Sequence, residues 1–205
     1  MSHGVPTVER PSRWALRCLV TPAGVAGIWL GLALALWLCD PLLDPTRASA
    51  RLAVLAYGVA VLFQLTQQAF SSPRDSILAR WLWLAACLLY LLHVLAAFHY
   101  FHHWSHQAAV AHVEQQSGFG PGIYFSHAFG LVWLVDALWW CGHPNGHARR
   151  PAWIGWSVHG FLAFLTFNAA VVYATGVMRI MGIVLFSLLL LTTVARWLFR
   201  GSLTG

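Results

Sequence analysis

The side chains with the greatest capacity for chemistry are histidines between residues 93 and 106. Five of the chain's 11 histidines lie there, in the stretch HVLAAFHYFHHWSH, where an apolar run gives way to a polar loop. On a regular helix that turns about 100° per residue, His99, His102, His103 and His106 fall within an arc of about 100°. The spacing therefore predicts four imidazoles on one face of a helix end. Imidazole is the commonest protein ligand of transition metals, so this stripe predicts a metal site.

The composition indicates that these histidines belong to an integral membrane protein. Of the 205 residues, 59% are hydrophobic and 9% are charged, whereas soluble domains average about 25% charged residues. The formal charge of +6 comes from arginines that flank apolar runs, which indicates topology signals rather than a nucleic-acid surface. The chain has no glycine motif typical of nucleotide binding. The expected partner is the lipid bilayer.

Six apolar segments are long enough to cross a bilayer, which takes about 17 to 25 residues. They are residues 23–39, 50–68, 80–103, 123–141, 152–174 and 178–198. Because the linkers between them are short, we expect a single all-α domain over residues 1–205, a bundle of six transmembrane helices. Residues 1–22 would form a cytoplasmic segment, and residues 104–122 an outer loop with a candidate interfacial helix.

The arginine distribution predicts the orientation, because short cytoplasmic loops carry the excess of positive charge. Only Arg47, Arg51 and Arg179 fall on the side of the histidine stripe, and the other arginines fall on the opposite side. Both termini are then cytoplasmic and the stripe opens at the outer face. The expected location is a bacterial inner (plasma) membrane.

Depth along the spans groups further polar residues with the stripe. At about 1.5 Å per residue, His99, His127 and Asn168 lie in one layer near the outer face. The predicted metal ligands converge at this layer: His99, His102, His103, His106 and His127. Glu114 and Asn168 could support these ligands or join them. Iron, copper and zinc all suit such a donor set.

A second polar layer lies nearer the cytoplasmic side. An unpaired carboxylate costs about 2.5 to 3.5 kcal/mol at the centre of a span, so Asp136 is expected to face the bundle and to have a partner. His159 is the preferred partner, with Arg149 or Arg150 as the alternative. The segment from His143 to His147 contains Pro and Gly and is interpreted as a loop turn.

The motif His99-x-x-His102-His103 resembles one histidine box of the membrane di-iron fatty acid desaturases and hydroxylases. The resemblance covers only these residues, and the chain has no second HxxHH box. It implies an oxygen-dependent di-metal site built from the same five predicted ligands. His143 and His147 have the spacing of another such box, but the predicted topology places them at the opposite membrane face.

A b-type haem is a second option, since it needs two axial histidines from facing helices. His99 or His103 with His127 could supply them, and His93 with His159 could hold a deeper haem. Six spans with two stacked haems would resemble the cytochrome b561 group, although the second span here has no histidine.

Three functions are therefore expected as alternatives. The first is a transition-metal site near the outer face, redox-active or oxygen-dependent if the metal is iron or copper. The second is a membrane cytochrome with haem b. The third is a non-enzymatic assembly or transport component whose polar residues mark an ion route.

Overall fold

The computed structural model describes residues 44–67 and 73–201, together with Gly27 and Gly31, which have helical backbone. The helices are α1 (Pro45–Gln67), α2 (Pro73–Ala96), a π-helical segment π1 (Ala97–Phe101), α3 (His106–Ser117), α4 (Gly122–Gly142), α5 (Pro144–Ala148), α6 (Ala152–Phe167), a second π-helical segment π2 (Asn168–Val172) and α7 (Gly176–Gly201). Within the described ranges there is no strand. The all-α prediction is confirmed.

Five segments are long and apolar enough to cross a membrane: Pro45–Thr66, Ile77–Phe101, Gly122–Gly142, Ala152–Val172 and Gly176–Arg196. They match the second to sixth predicted spans. Many large apolar side chains on them point outward, and Trp156 is 80% exposed, as expected where lipid covers the surface. The chain is therefore an integral membrane protein. The predicted first span, 23–39, and the segment 1–22 lie outside the described residues, apart from Gly27 and Gly31.

Large aromatic side chains occupy the centre of the bundle. Trp83 of α2 and Trp133 of α4 are buried, with ring centroids 5.0 Å apart, and Tyr57 of α1 packs edge-on against Trp133 at 5.6 Å. Small residues beside these rings let the helix backbones approach closely. Fully buried examples are Ala60, Ala137 and Ala170.

Helix α7 packs tightly against π2 at one glycine. A Cβ added to Gly182 would overlap the carbonyl group of Ala170. Only a residue without a side chain permits this approach of the two backbones. The contact fixes the position of α7 at the end of the bundle that contains π2.

The spans alternate in direction, so the structure has two distinct ends. The histidine end contains the start of α1, π1, α3, the start of α4, and π2. There Ser49 and His93 join the start of α1 to the end of α2, with Ser49 Oγ 3.1 Å from His93 Nδ1. The arginine end contains the end of α4, α5 and the start of α6.

Candidate functional site

The chain reverses direction immediately after α2, and this reversal positions the histidines. In π1 the His102 amide donates to the carbonyl of Ala97 at 3.0 Å, five residues earlier, which is the π-helical pattern. His103 and Trp104 then adopt left-handed backbone, with φ of 47° and 61°. Such conformations cost about 1 to 3 kcal/mol each in non-glycine residues. Helix α3 begins afterwards, with the Ser105 hydroxyl accepting from the Ala108 amide at 3.2 Å.

This geometry divides the predicted stripe between two elements. His99 lies in π1, His102 ends it, His103 lies in the reversal and His106 begins α3. The prediction of four imidazoles on one face assumed a regular helix. The π-turn and the two left-handed residues change the direction of the chain within the stripe.

Two of the predicted ligands come together across elements. The ring centroids of His106, on α3, and His127, on α4, lie 5.6 Å apart. Tyr124 stands beside both, at 5.8 Å from His106 and 6.4 Å from His127. His106, His127 and Tyr124 are all exposed. We name this pair of imidazoles the exposed pair, because it lies at the surface of the histidine end.

A second pair joins His102 to a histidine for which the sequence predicted no role. The ring centroids of His102 and His112 lie 5.4 Å apart. Phe101 packs against both rings, at 5.1 Å from His102 and 4.7 Å from His112. His102 is buried, and burial together with the neighbouring charge of His112 lowers its pKa. Its imidazole is therefore held in the neutral form, which is the form that binds metal ions. We name this pair the inner pair.

His112 could have been found from the periodicity of the loop. Ala109 is fully buried, and His112 lies three residues further along the same helix, on the same face. The sequence indicated that residues 104–122 contain an interfacial helix, but it did not indicate which face packs against the bundle.

The other two members of the stripe stand apart from these pairs. The Trp104 indole N–H donates to His99 Nδ1 at 3.3 Å. His103 is exposed in its left-handed conformation. His99 and His103 make no contact with another imidazole among the described residues.

The two residues expected to support the ligands have backbone partners instead. Glu114 Oε2 accepts from the Gly120 amide, which holds the turn between α3 and α4. The Asn168 side-chain amide donates to the carbonyl of Phe164 at 2.8 Å, at the α6–π2 junction. In the described chain, these contacts help to shape the histidine end without reaching an imidazole.

Phe98 separates the two histidine pairs. Its ring centroid lies 5.6 Å from that of His102 and 6.3 Å from that of His127. Across residues 44–67 and 73–201, no group of three or more His, Cys, Asp or Glu side chains is arranged to hold a metal ion. The histidine end thus presents two pairs of imidazoles rather than one cluster of five.

At the arginine end, Asp136 of α4 is buried and accepts from three side chains. Trp83 Nε1 donates to Oδ2 at 2.9 Å, while Arg150 Nη1 and His147 Nε2, the latter at 3.2 Å, contact Oδ1. His159 lies further off, with its ring centroid 5.1 Å from that of Trp83. The carboxylate is therefore paired with Arg150, one of the two arginines named as the alternative partner, and His159 is not among its hydrogen-bond partners in the described part of the chain.

His147 belongs to this site because the segment after α4 is helical. Pro144 occupies the first turn of α5, a position where proline favours a helix start instead of ending one. His147 is buried and stacks on Trp140 with centroids 4.9 Å apart. The interpretation of His143 to His147 as a loop turn is wrong, since proline and glycine permit this one short helix.

The helices and the two polar ends define an all-α, multi-pass membrane protein. No family model, curated protein or solved structure matches the chain. Its function must therefore be argued from the residues at its two ends.

Proposed function

We propose that this membrane protein binds a transition-metal ion, iron, copper or zinc, at its outer face through paired imidazoles. The observation that carries the proposal is the presence of two histidine pairs between different elements, with ring centroids 5.4 and 5.6 Å apart. A redox or oxygen-dependent role follows if the ion is iron or copper.

The ring spacing suits two imidazoles on one ion. A metal–nitrogen distance of about 2.0 to 2.1 Å, with the nitrogen about 1.1 Å from the ring centre, puts two rings at a tetrahedral angle roughly 5 Å apart. The centroids of both pairs lie close to that value. Two protein ligands leave further positions for water or another donor, as open metal sites require.

The same spacing favours a metal ion over haem b. Two axial imidazoles on opposite sides of a haem iron would have ring centres roughly 6 to 6.5 Å apart, given similar metal–nitrogen distances. Both observed spacings are shorter. His127, the shared member of the proposed axial pairs, has His106 as its imidazole neighbour instead of His99 or His103.

The interior of the bundle supports the third alternative, an ion route between the two ends, less than it supports a metal site. Between Asp136 and the histidine end, the buried rings of Trp83, Trp133 and Phe129 and the half-buried ring of Tyr90 pack in succession, with centroids 4.6 to 5.8 Å apart. Aromatic packing of this kind offers few polar groups for an ion to follow.

The arginine distribution supports an outer, periplasmic position for the histidine pairs. Arg149, Arg150 and Arg196 lie at or towards the arginine end, which the positive-inside rule assigns to the cytoplasm. A bacterial inner membrane with both chain termini in the cytoplasm is the matching location.

Elemental analysis of the purified protein tests this function. We expect bound iron, copper or zinc, and no Soret band. His112→Ala should lower the affinity of the inner pair for added metal at least tenfold, and His127→Ala should do the same at the exposed pair, on the order of losses seen when metal sites lose their supporting groups.

His143→Ala is the matched control, because His143 is exposed at the arginine end, far from both pairs. It should leave metal binding unchanged. A Soret band would instead favour the haem alternative. If no metal binds, or if all three variants lose it equally, the proposed site is wrong.

A further inference from the structure

The exposed pair is only half of a complete coordination shell. His106 and His127 supply two nitrogens, whereas closed tetrahedral sites take four protein ligands. Across the described chain, no third His, Cys, Asp or Glu side chain joins this pair. Within residues 44–67 and 73–201, the exposed pair therefore leaves coordination positions open to water or to another molecule that reaches the exposed surface.

The surface next to the exposed pair is suited to contact with another chain inside the membrane. On a helix turning about 100° per residue, one face of α4, within an arc of about 80°, contains Tyr124, His127, Leu131, Val135 and Leu138. Apart from His127, these side chains are large and apolar, and Leu131 and Val135 are 64% and 57% exposed. His127 thus lies at the outer end of an apolar stripe that extends along α4 and is exposed in the structure of the single chain.

We propose that a second copy of this chain covers this face, so that His106 and His127 of both copies hold one divalent zinc-type ion between them. This inference rests on the proposed function. Two-fold symmetry brings the same patch of each subunit together, so a site with two ligands per chain becomes a site with four. The ion then links the copies at the outer face, and the α4 stripes pack below it.

The inner pair is unsuited to this role. His102 is buried, and both Phe98 and Phe101 pack against its ring. Ligands from a second chain could not reach it without displacing these side chains. The two pairs therefore differ in role. The inner pair binds within one chain, and the exposed pair contributes to a site shared between two chains.

The test measures mass and bound zinc together, on the full chain in detergent micelles. Dilute metal-free protein should be monomeric, and Zn²⁺ should lower the apparent dissociation constant of the dimer at least tenfold. EDTA should reverse the effect. In a His112→Ala background, which silences the inner pair, the dimer should contain one zinc per two chains.

His106→Asn and His127→Asn should each abolish the zinc-dependent dimer, while His143→Asn should not. Circular dichroism of each variant establishes that it is folded. As a second measurement, Leu131→Cys should form a disulfide between chains under mild oxidation only with Zn²⁺ present. Trp156→Cys, at a position on α6 that is even more exposed than Leu131, should not cross-link.

The outcomes separate this inference from the proposed function. Zinc bound to a monomer, one ion per chain at the exposed pair, overturns the shared site and leaves metal binding intact. A dimer that persists in EDTA, or in His127→Asn, also overturns it, because apolar contact alone would then explain association. If no zinc binds, the shared site fails, and the proposed function fails with it when iron and copper do not bind either.

Discussion

Asp136 is held by several side chains at once. Its carboxylate is 3% exposed inside a span and contacts Trp83, His147 and Arg150. A buried charge of this kind is tolerated when an opposite charge and hydrogen bonds accompany it. Arg150 follows α5 in the chain, so its contact with Asp136 draws the connection between α4 and α6 back against the bundle.

Loss of Arg150 should destabilise the protein. We expect Arg150→Met to lower the free energy of unfolding by about 3 to 5 kcal/mol, because it leaves the Asp136 carboxylate buried without its ion pair. The double variant Asp136→Asn with Arg150→Met should recover part of that loss, since no uncompensated charge remains. Unfolding in mixed detergent micelles measures both.

The neighbouring Arg149 provides the control. It is exposed, so Arg149→Met should change the unfolding free energy by less than about 0.5 kcal/mol. Equal losses in the Arg149 and Arg150 variants would contradict the assignment of Arg150 as the partner.

At the residue scale, the sequence predicted a contact where the cost of burying a charge makes a partner necessary. The cost of burying Asp136 predicted that it needs a partner, and Arg150 was among those named. The contact of His147 was missed, because a proline and a glycine were taken as helix breakers although Pro144 starts α5. The pairing of His106 with His127 depends on the path of the chain through residues 103–105, which no pattern of residue types encodes.

At the scale of elements, the regular part of the fold follows from the apolar runs and the irregular part does not. Five predicted spans correspond to helices of the structure. The π-turns at Ala97–Phe101 and Asn168–Val172 change which side chains share a face, and hydrophobicity alone does not signal them. This is why a stripe of four histidines was predicted where two pairs exist.

The close approach of α7 to π2 leads to a prediction about glycine. Gly182→Ala should destabilise the bundle by about 1 to 3 kcal/mol, because its methyl group would overlap the Ala170 carbonyl and force the helices apart. Thermal unfolding in detergent reports the effect.

Gly160→Ala is the matched control for this change. Gly160 lies within α6, is exposed, and has no atom within 4 Å of an added Cβ. The substitution should be neutral or stabilising by up to about 1 kcal/mol, since alanine favours helix more than glycine does. If Gly182→Ala were as well tolerated as Gly160→Ala, the tight contact would be refuted.

At the scale of the whole molecule, the two ends differ in chemistry and are separated by apolar helices. Imidazoles collect at one end, and an arginine–aspartate pair lies towards the other. The proposed orientation puts the second end in the cytoplasm. The proposed metal site depends on this orientation, because it determines which pool of metal ions reaches the histidines.

Cysteine labelling in intact cells tests the orientation. In a chain whose four native cysteines are replaced by serine, Phe119→Cys at the histidine end should react with a membrane-impermeant maleimide. Asn145→Cys at the arginine end should react only after the membrane is permeabilised. Both positions are exposed in the structure, so a difference in labelling reports the side of the membrane and not burial within the fold. The reverse pattern of labelling would show that the orientation is opposite to the proposed one.

The π-turn before the histidines makes this part of the chain sensitive to length as well as to residue type. A π-turn holds about one residue more than an α-helical turn, so deleting one residue from Ala97–Phe101 would restore a regular helix without breaking the span. That deletion would leave His102 at nearly the same angle relative to α2, because the residue lost is the extra one that the wider turn holds. A one-residue deletion within the regular part of α2 should instead rotate His102 by about 100° relative to the start of that helix and remove the inner pair, although every histidine is still present.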